Sequence, residues 1–107
     1  MNEQYIRERI TELRLQKGVS EYKMSLDLGH SKSYIQSISS GKSLPSLPEF
    51  LYICEYLGVS PKEFFDNSQE NPALVNQIYS QLLHMDKEDL EALLNITTRL
   101  TSSKSDS

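Results

Sequence analysis

Apolar residues at the start of the chain recur at helical spacing. Ile6, Ile10 and Leu13 fall on one face of a segment from Glu3 to Lys17, and Lys17 ends that face on its solvated side. Asn2 precedes it as a helix cap, and Gly18 follows where a left-handed residue closes a helix. After Val19, Ser20 is placed to cap a second, shorter helix over residues 21–28, which stops at Gly29. Ser31 then caps a third helix reaching Ser39, ahead of Gly41. Met24, Leu28, Ile35 and Ile38 give this pair its apolar side, with small Ser25 beside Met24.

The stretch GKSLPS is a turn by composition. Ser46 and Glu49 form an S-x-x-E capping pair that opens a fourth helix, whose predicted buried face is Leu47, Phe50, Leu51, Cys54 and Leu57. Gly58 ends it. Ser60 and Glu63 repeat the capping pair with Pro61 at the first helical position, and Phe64 and Phe65 are expected to close the core. Residues 66–72 read as a linker or sharp turn. Asn71 and Pro72 start a sixth helix with a stripe of Leu74, Val75, Ile78, Leu82 and Met85. Asp86 and Asp89 open a seventh, carrying Leu90, Leu93, Leu94, Thr97 and Leu100. TSSKSDS, at 101–107, is small and polar and is expected to be disordered. The whole is predicted to be all-α: a five-helix domain over 1–66 and a helical hairpin over 67–107.

Residues 20–39 thus read as two short helices joined by a tight glycine turn. That layout is a helix-turn-helix, whose second helix is held out toward a DNA major groove. Charge is compatible with this only locally. The net charge is −4, but residues 1–66 hold eight Lys/Arg against nine Asp/Glu, and residues 67–107 hold three against six. No acidic residue lies between Asp27 and Glu49, a window with seven serines, Lys32, Lys42, His30, Tyr34 and Gln36. Such a surface approaches phosphates without repulsion.

Other chemistries lack their residues. Cys54, the single cysteine, cannot form an internal disulfide and fits a reducing, cytoplasmic setting. His30 and His84 have no second ligand at metal spacing, so neither a metal nor a cofactor is expected. The serines lack a triad or G-x-S-x-G context, so no enzyme is read here. No apolar run approaches membrane-spanning length, and the N-terminus lacks a signal peptide's apolar segment.

With IRERITELR–KGVS, SEYKMSLDLG–SKSYIQSI, GKSLPSL and LGVSPKEFF in this order, the chain resembles the lambda-repressor-like, xenobiotic-response-element family of bacterial and phage regulators over about residues 5–65. The resemblance implies a DNA-binding transcriptional regulator. Ser31, Lys32, Ser33, Gln36 and Ser37 would face base edges of double-stranded DNA, Lys32 suiting guanine and Gln36 adenine. Ser20, Glu21, Tyr34, Ser40, Lys42 and Ser46 would lie along the DNA backbone. Departures from the family pattern bear on affinity. Glu21 stands where a phosphate-holding glutamine is usual, and His30 where the turn has an apolar residue. Ser39 replaces the glutamate that pairs with the arginine at Arg14, so Arg14 needs another acceptor.

The hairpin carries the second hint. Leu74, Ile78, Leu82, Leu90, Leu93, Leu94 and Leu100 are the expected dimerisation face, since a dimer reads two half-sites about 34–36 Å apart. This gives a dimeric repressor as one reading. The other is a protein-interaction module on the same fold, an antitoxin or regulator antagonist, motivated by Glu21 and the acidic net charge.

Overall fold

Asn2 Oδ1 accepts the Tyr5 N–H, and the first helix, α1 (Glu3–Lys17), starts there. It stops at Gly18, whose φ of 78° is costly for any residue with a Cβ, and whose N–H returns to the Arg14 and Leu15 carbonyls. The computed structural model describes residues 2–66, 68 and 70–105, with backbone alone at 103–105. Its further elements are α2 (Glu21–Asp27), α3 (Tyr34–Ser39), α4 (Leu47–Leu57), α5 (Pro61–Phe64), α6 (Pro72–Leu82) and α7 (Lys87–Ser105). The chain is all-α: a helix-turn-helix domain followed by C-terminal helices. It divides into two compact units, Met1–Leu74 and Val75–Ser107.

The core of the first unit is small and contributed by every one of its first five helices. Ile10 and Leu13 of α1, Met24 of α2, Ile35 and Ile38 of α3, Ile53, Cys54 and Leu57 of α4, and Phe64 of α5 are buried together with Val59. Phe64 is fully buried and meets Phe50 edge-to-face at 4.9 Å. Burial of such a side chain contributes about 1.5–3 kcal/mol. Truncating it to Ala costs more, about 3–5 kcal/mol, because the surroundings cannot fill the hole.

Four local expectations are corrected. The α4 face is rotated: Ile53 is buried, whereas Leu47 is 72% and Leu51 51% exposed, because the stripe that meets α1 and α5 is Phe50, Ile53, Cys54 and Leu57. Ser46 accepts the Glu49 N–H, but the Glu49 carboxylate turns away to His30, so only half of the expected capping pair forms there. The Ser60/Glu63 pair forms in both directions. Phe65 remains 38% exposed, stacked loosely on Tyr5. Finally, α7 runs through residues 101–105, where the polar tail was expected to be disordered. Residues 106 and 107, and Asn67 and Gln69 of the expected linker, lie outside the described residues.

Arg9 is the unforeseen member of the core. It is 2% exposed and surrounded by acceptors. Its Nε donates to the Phe64 carbonyl at 2.7 Å, and its Nη2 donates to the Glu63 and Asp66 carbonyls at 2.8 and 3.1 Å. Nη1 donates to Glu12 at 2.8 Å. A buried guanidinium is tolerable only when satisfied this fully. It ties α1 to the carbonyl end of α5, which no intrahelical donor reaches.

In the second unit Asp86 Oδ1 accepts the Asp89 N–H at 2.8 Å and opens α7, as the sequence predicts. Ile78, Leu82, Met85, Leu90, Leu93 and Leu94 line a groove of about 570 Å³ on this unit.

Candidate nucleic-acid interface

Ser20 caps α2 by accepting the Lys23 N–H at 3.0 Å. One turn on, Ser25 is completely buried. Its hydroxyl donates to the Glu21 carbonyl at 2.7 Å and accepts the Ile35 N–H at 3.0 Å. That second bond crosses from α2 to α3 and satisfies an amide at the start of α3 that a local cap would otherwise take. The expected Ser31 cap is therefore not used. Ser31, Lys32 and Ser33 form a turn, closed by the Tyr34 N–H on the Ser31 carbonyl at 3.1 Å, and α3 begins only at Tyr34.

With Ile35 and Ile38 buried beneath it, α3 has one free edge. Gln36 on α3 and Ser40 at its end are exposed, as are Ser31, Lys32 and Ser33 in the turn before it. Ser37 is half-buried, and its hydroxyl donates to the Ser33 carbonyl. Tyr34 does not stand outward as expected. Its ring lies flat on His30, centroids 3.8 Å apart and planes 8° apart, and its hydroxyl is buried with no hydrogen-bond partner among the described residues. Burial, with the nearby Glu49 charge second, pushes the phenol pKa upward. His30 Nε2 in turn donates to Glu49 Oε2 at 2.6 Å, clasping the α2–α3 turn to the start of α4.

Most cations of this unit are spent internally. Arg7 Nε donates to the Ile38 carbonyl at 3.1 Å and Nη2 to the Gly41 carbonyl at 3.4 Å. Arg14, whose acceptor the sequence could not supply, donates from Nη1 to the Val19 carbonyl at 2.7 Å, while its Nε is buried without a partner among the described residues. Lys17 sits 4.9 Å above the Tyr56 ring, and Lys23 pairs with Asp27 at 3.3 Å. The side chains of Lys32 and Lys42 form no hydrogen bond or ion pair among the described residues. They are the charges this surface presents outward. Glu21, expected along a DNA backbone, has its carboxylate held by Ser39 at 2.5 Å.

Sequence reasoning missed Arg7, the Ser25 hydroxyl and the His30–Glu49 clasp. The one signal available was His30 standing in a turn position that normally carries an apolar side chain. For metal chemistry the described residues hold no group of three or more His, Cys, Asp or Glu side chains placed to bind an ion. No helix among them is long and apolar enough to cross a membrane.

Against known proteins, residues 8–70 match the model of a family described as a helix-turn-helix domain. No curated protein and no solved structure matches the chain.

Proposed function

The chain belongs to the helix-turn-helix domain family, and on that premise we propose that it is a sequence-specific DNA-binding transcriptional regulator of the lambda-repressor-like kind, acting as a dimeric repressor. The observation that carries this reading is the free edge of α3. Ser31, Lys32 and Ser33 in the turn before α3, Gln36 on it and Ser40 at its end are exposed in a stretch of sequence with no acidic residue, and the helix is gripped from behind. Lys32 and Gln36 read bases, with Ser31, Ser33 and Ser37 beside them. Ser20, Ser40, Lys42 and Ser46 meet phosphates. Tyr34 drops out of the phosphate set because its hydroxyl faces inward, and Glu21 opposes the backbone rather than holding it.

The hairpin supplies the second half-site's partner. Leu74, Ile78, Leu94 and Leu100 are each more than half exposed, and Leu82, Leu90 and Leu93 complete the stripe. Contiguous apolar surface, such as the groove lined by Ile78, Leu82, Leu90, Leu93 and Leu94, marks an interaction site. A second copy of the same stripe is the self-complementary occupant a two-fold dimer needs. The buried free thiol of Cys54 suits a reducing compartment such as the cytoplasm.

Incubating the full chain with a pool of random duplexes at low salt tests this directly. Enrichment of a short motif repeated about one helical turn apart is the expected outcome.

A second reading, a protein-interaction module such as an antitoxin or regulator antagonist, is favoured by one observation. The arginines of α1 serve carbonyls, and Glu21 keeps a carboxylate on the α2 side of the same face. Flow-through from a DNA column together with a co-purifying protein supports it instead.

A further inference from the structure

We propose that Arg7 is the positioning residue that sets the reading edge of α3 and keeps it in register with Lys42. The proposal rests on the DNA-binding reading above.

A helix of six residues has no stability of its own, so the direction of α3 comes from what holds its two ends. At the N-terminal end the grip is the Ser25 hydroxyl on the Ile35 amide. At the C-terminal end Ser39 is held by Glu21, and the grip that also reaches the chain beyond the helix is Arg7. Its fork reaches the Ile38 carbonyl through Nε and the Gly41 carbonyl through Nη2. Those two acceptors belong to different pieces of chain: Ile38 to the last turn of α3, and Gly41 to the bend that follows. A rigid planar guanidinium reaches both only while the two pieces keep one relation to each other.

Lys42 follows Gly41, and its own N–H returns to the Ser37 carbonyl at 2.9 Å. One side chain on α1 thereby links the base-facing edge at Gln36 to the cation assigned to a phosphate. Arg7 does this from behind the surface, with its side chain 13% exposed. The alternative partner, Glu3, is 3.8 Å away and 70% exposed, a weak claim on the same group. A lysine in its place offers a point charge that meets one carbonyl at a time.

The full chain and its Arg7→Gln and Arg7→Lys variants are titrated with two duplexes: the one enriched from a random pool, and an unrelated sequence of equal length. Arg7→Gln is expected to lose about tenfold on the enriched duplex, the worth of one charge-assisted hydrogen-bond pair, while changing by less than about twofold on the unrelated one. Its salt dependence stays that of the wild type, and Arg7→Lys falls between. Without DNA, amide exchange at Gly41, Lys42 and Ser43 quickens in Arg7→Gln while α1 and α4 stay protected. Equal losses on both duplexes with a salt slope shallower by about one mean a phosphate contact and overturn the proposal. So do unchanged affinities, or a loss of protection throughout the unit. Should the wild type prefer neither duplex, the DNA-binding reading fails instead. The exchange measurement, made without DNA, separates that failure from a wrong assignment of Arg7.

Discussion

Ser39 donates its hydroxyl hydrogen to Glu21 Oε2 across 2.5 Å, joining the last residue of α3 to the first residue of α2. Both positions are among those at which this chain departs from the family it resembles, and here they partner each other. The pairing holds the helix-turn-helix closed but does not cancel a charge, because a hydroxyl is neutral. Glu21 therefore keeps a negative group beside the surface proposed to meet DNA.

Glu21→Gln is expected to tighten binding to any duplex by about two- to fivefold at low salt, with the gain shrinking as salt rises. The amide oxygen still accepts from Ser39, so the fold is retained. Fluorescence anisotropy at two salt concentrations reads this out, and an unchanged affinity places Glu21 away from the duplex.

Arg9→Met is expected to lower unfolding stability by about 3 kcal/mol, since it strips charge-assisted donors from three carbonyls at and beyond the end of α5. Denaturant midpoints measure the loss. At temperatures where the variant is still folded, its DNA preference should match the wild type, because Arg9 lies in the core.

These arginines mark the limit of what the sequence discloses. Local rules located α1 from Asn2 to Gly18, the Ser60/Glu63 pair and the Asp86 cap, because each of those signals acts within a turn of where it is written. Arg9 meets acceptors 54 to 57 residues away, and Arg7 meets its own 31 and 34 away. No periodicity encodes such pairings, so neither the burial of Arg9 nor the partners of Arg7 can be read from the sequence. Ser25 was legible as small but not as the cap of another helix, and α3 was consequently begun too early. The α4 face was misread because Leu47 and Leu51 are as apolar as the residues that are buried. Only the placement of α1 and α5 decides between the two stripes. Of the candidate interface, the polar character of the stretch from Ser31 to Ser40 was legible; the Glu21 carboxylate brought against Ser39 and the inward turn of Tyr34 onto His30 were not.

The Cys54 thiol is pushed up to about 11 by burial, from an ordinary value of 9.0. A thiol whose pKa is raised on folding favours the folded state fully below the unfolded pKa and loses that advantage as pH climbs. Stability is accordingly expected to hold up to about pH 9 and to fall between about pH 9 and pH 11 in part through this group. Cys54→Ala should flatten that portion of the profile. Thiol labelling at pH 8 is expected to follow the unfolding rate, and rapid labelling of the folded chain contradicts this placement.

Leu94→Glu, on the groove of the second unit, is expected to convert a dimer to a monomer in sedimentation equilibrium while leaving helix content unchanged. Its binding to a two-half-site duplex should fall to the level of a single half-site. A wild-type chain that sediments as a monomer at every concentration removes dimerisation from the account.

The central claim is that the edge beginning at Ser31 reads DNA, and parallel titrations of Lys32→Ala and Lys42→Ala on the enriched duplex and its single-base variants test it most directly. Lys32→Ala should cost about 1–3 kcal/mol and relax the preference at one base pair, whereas Lys42→Ala should weaken all duplexes alike and lower the salt slope by about one. If both variants bind every duplex as the wild type does, α3 is not the element that touches bases.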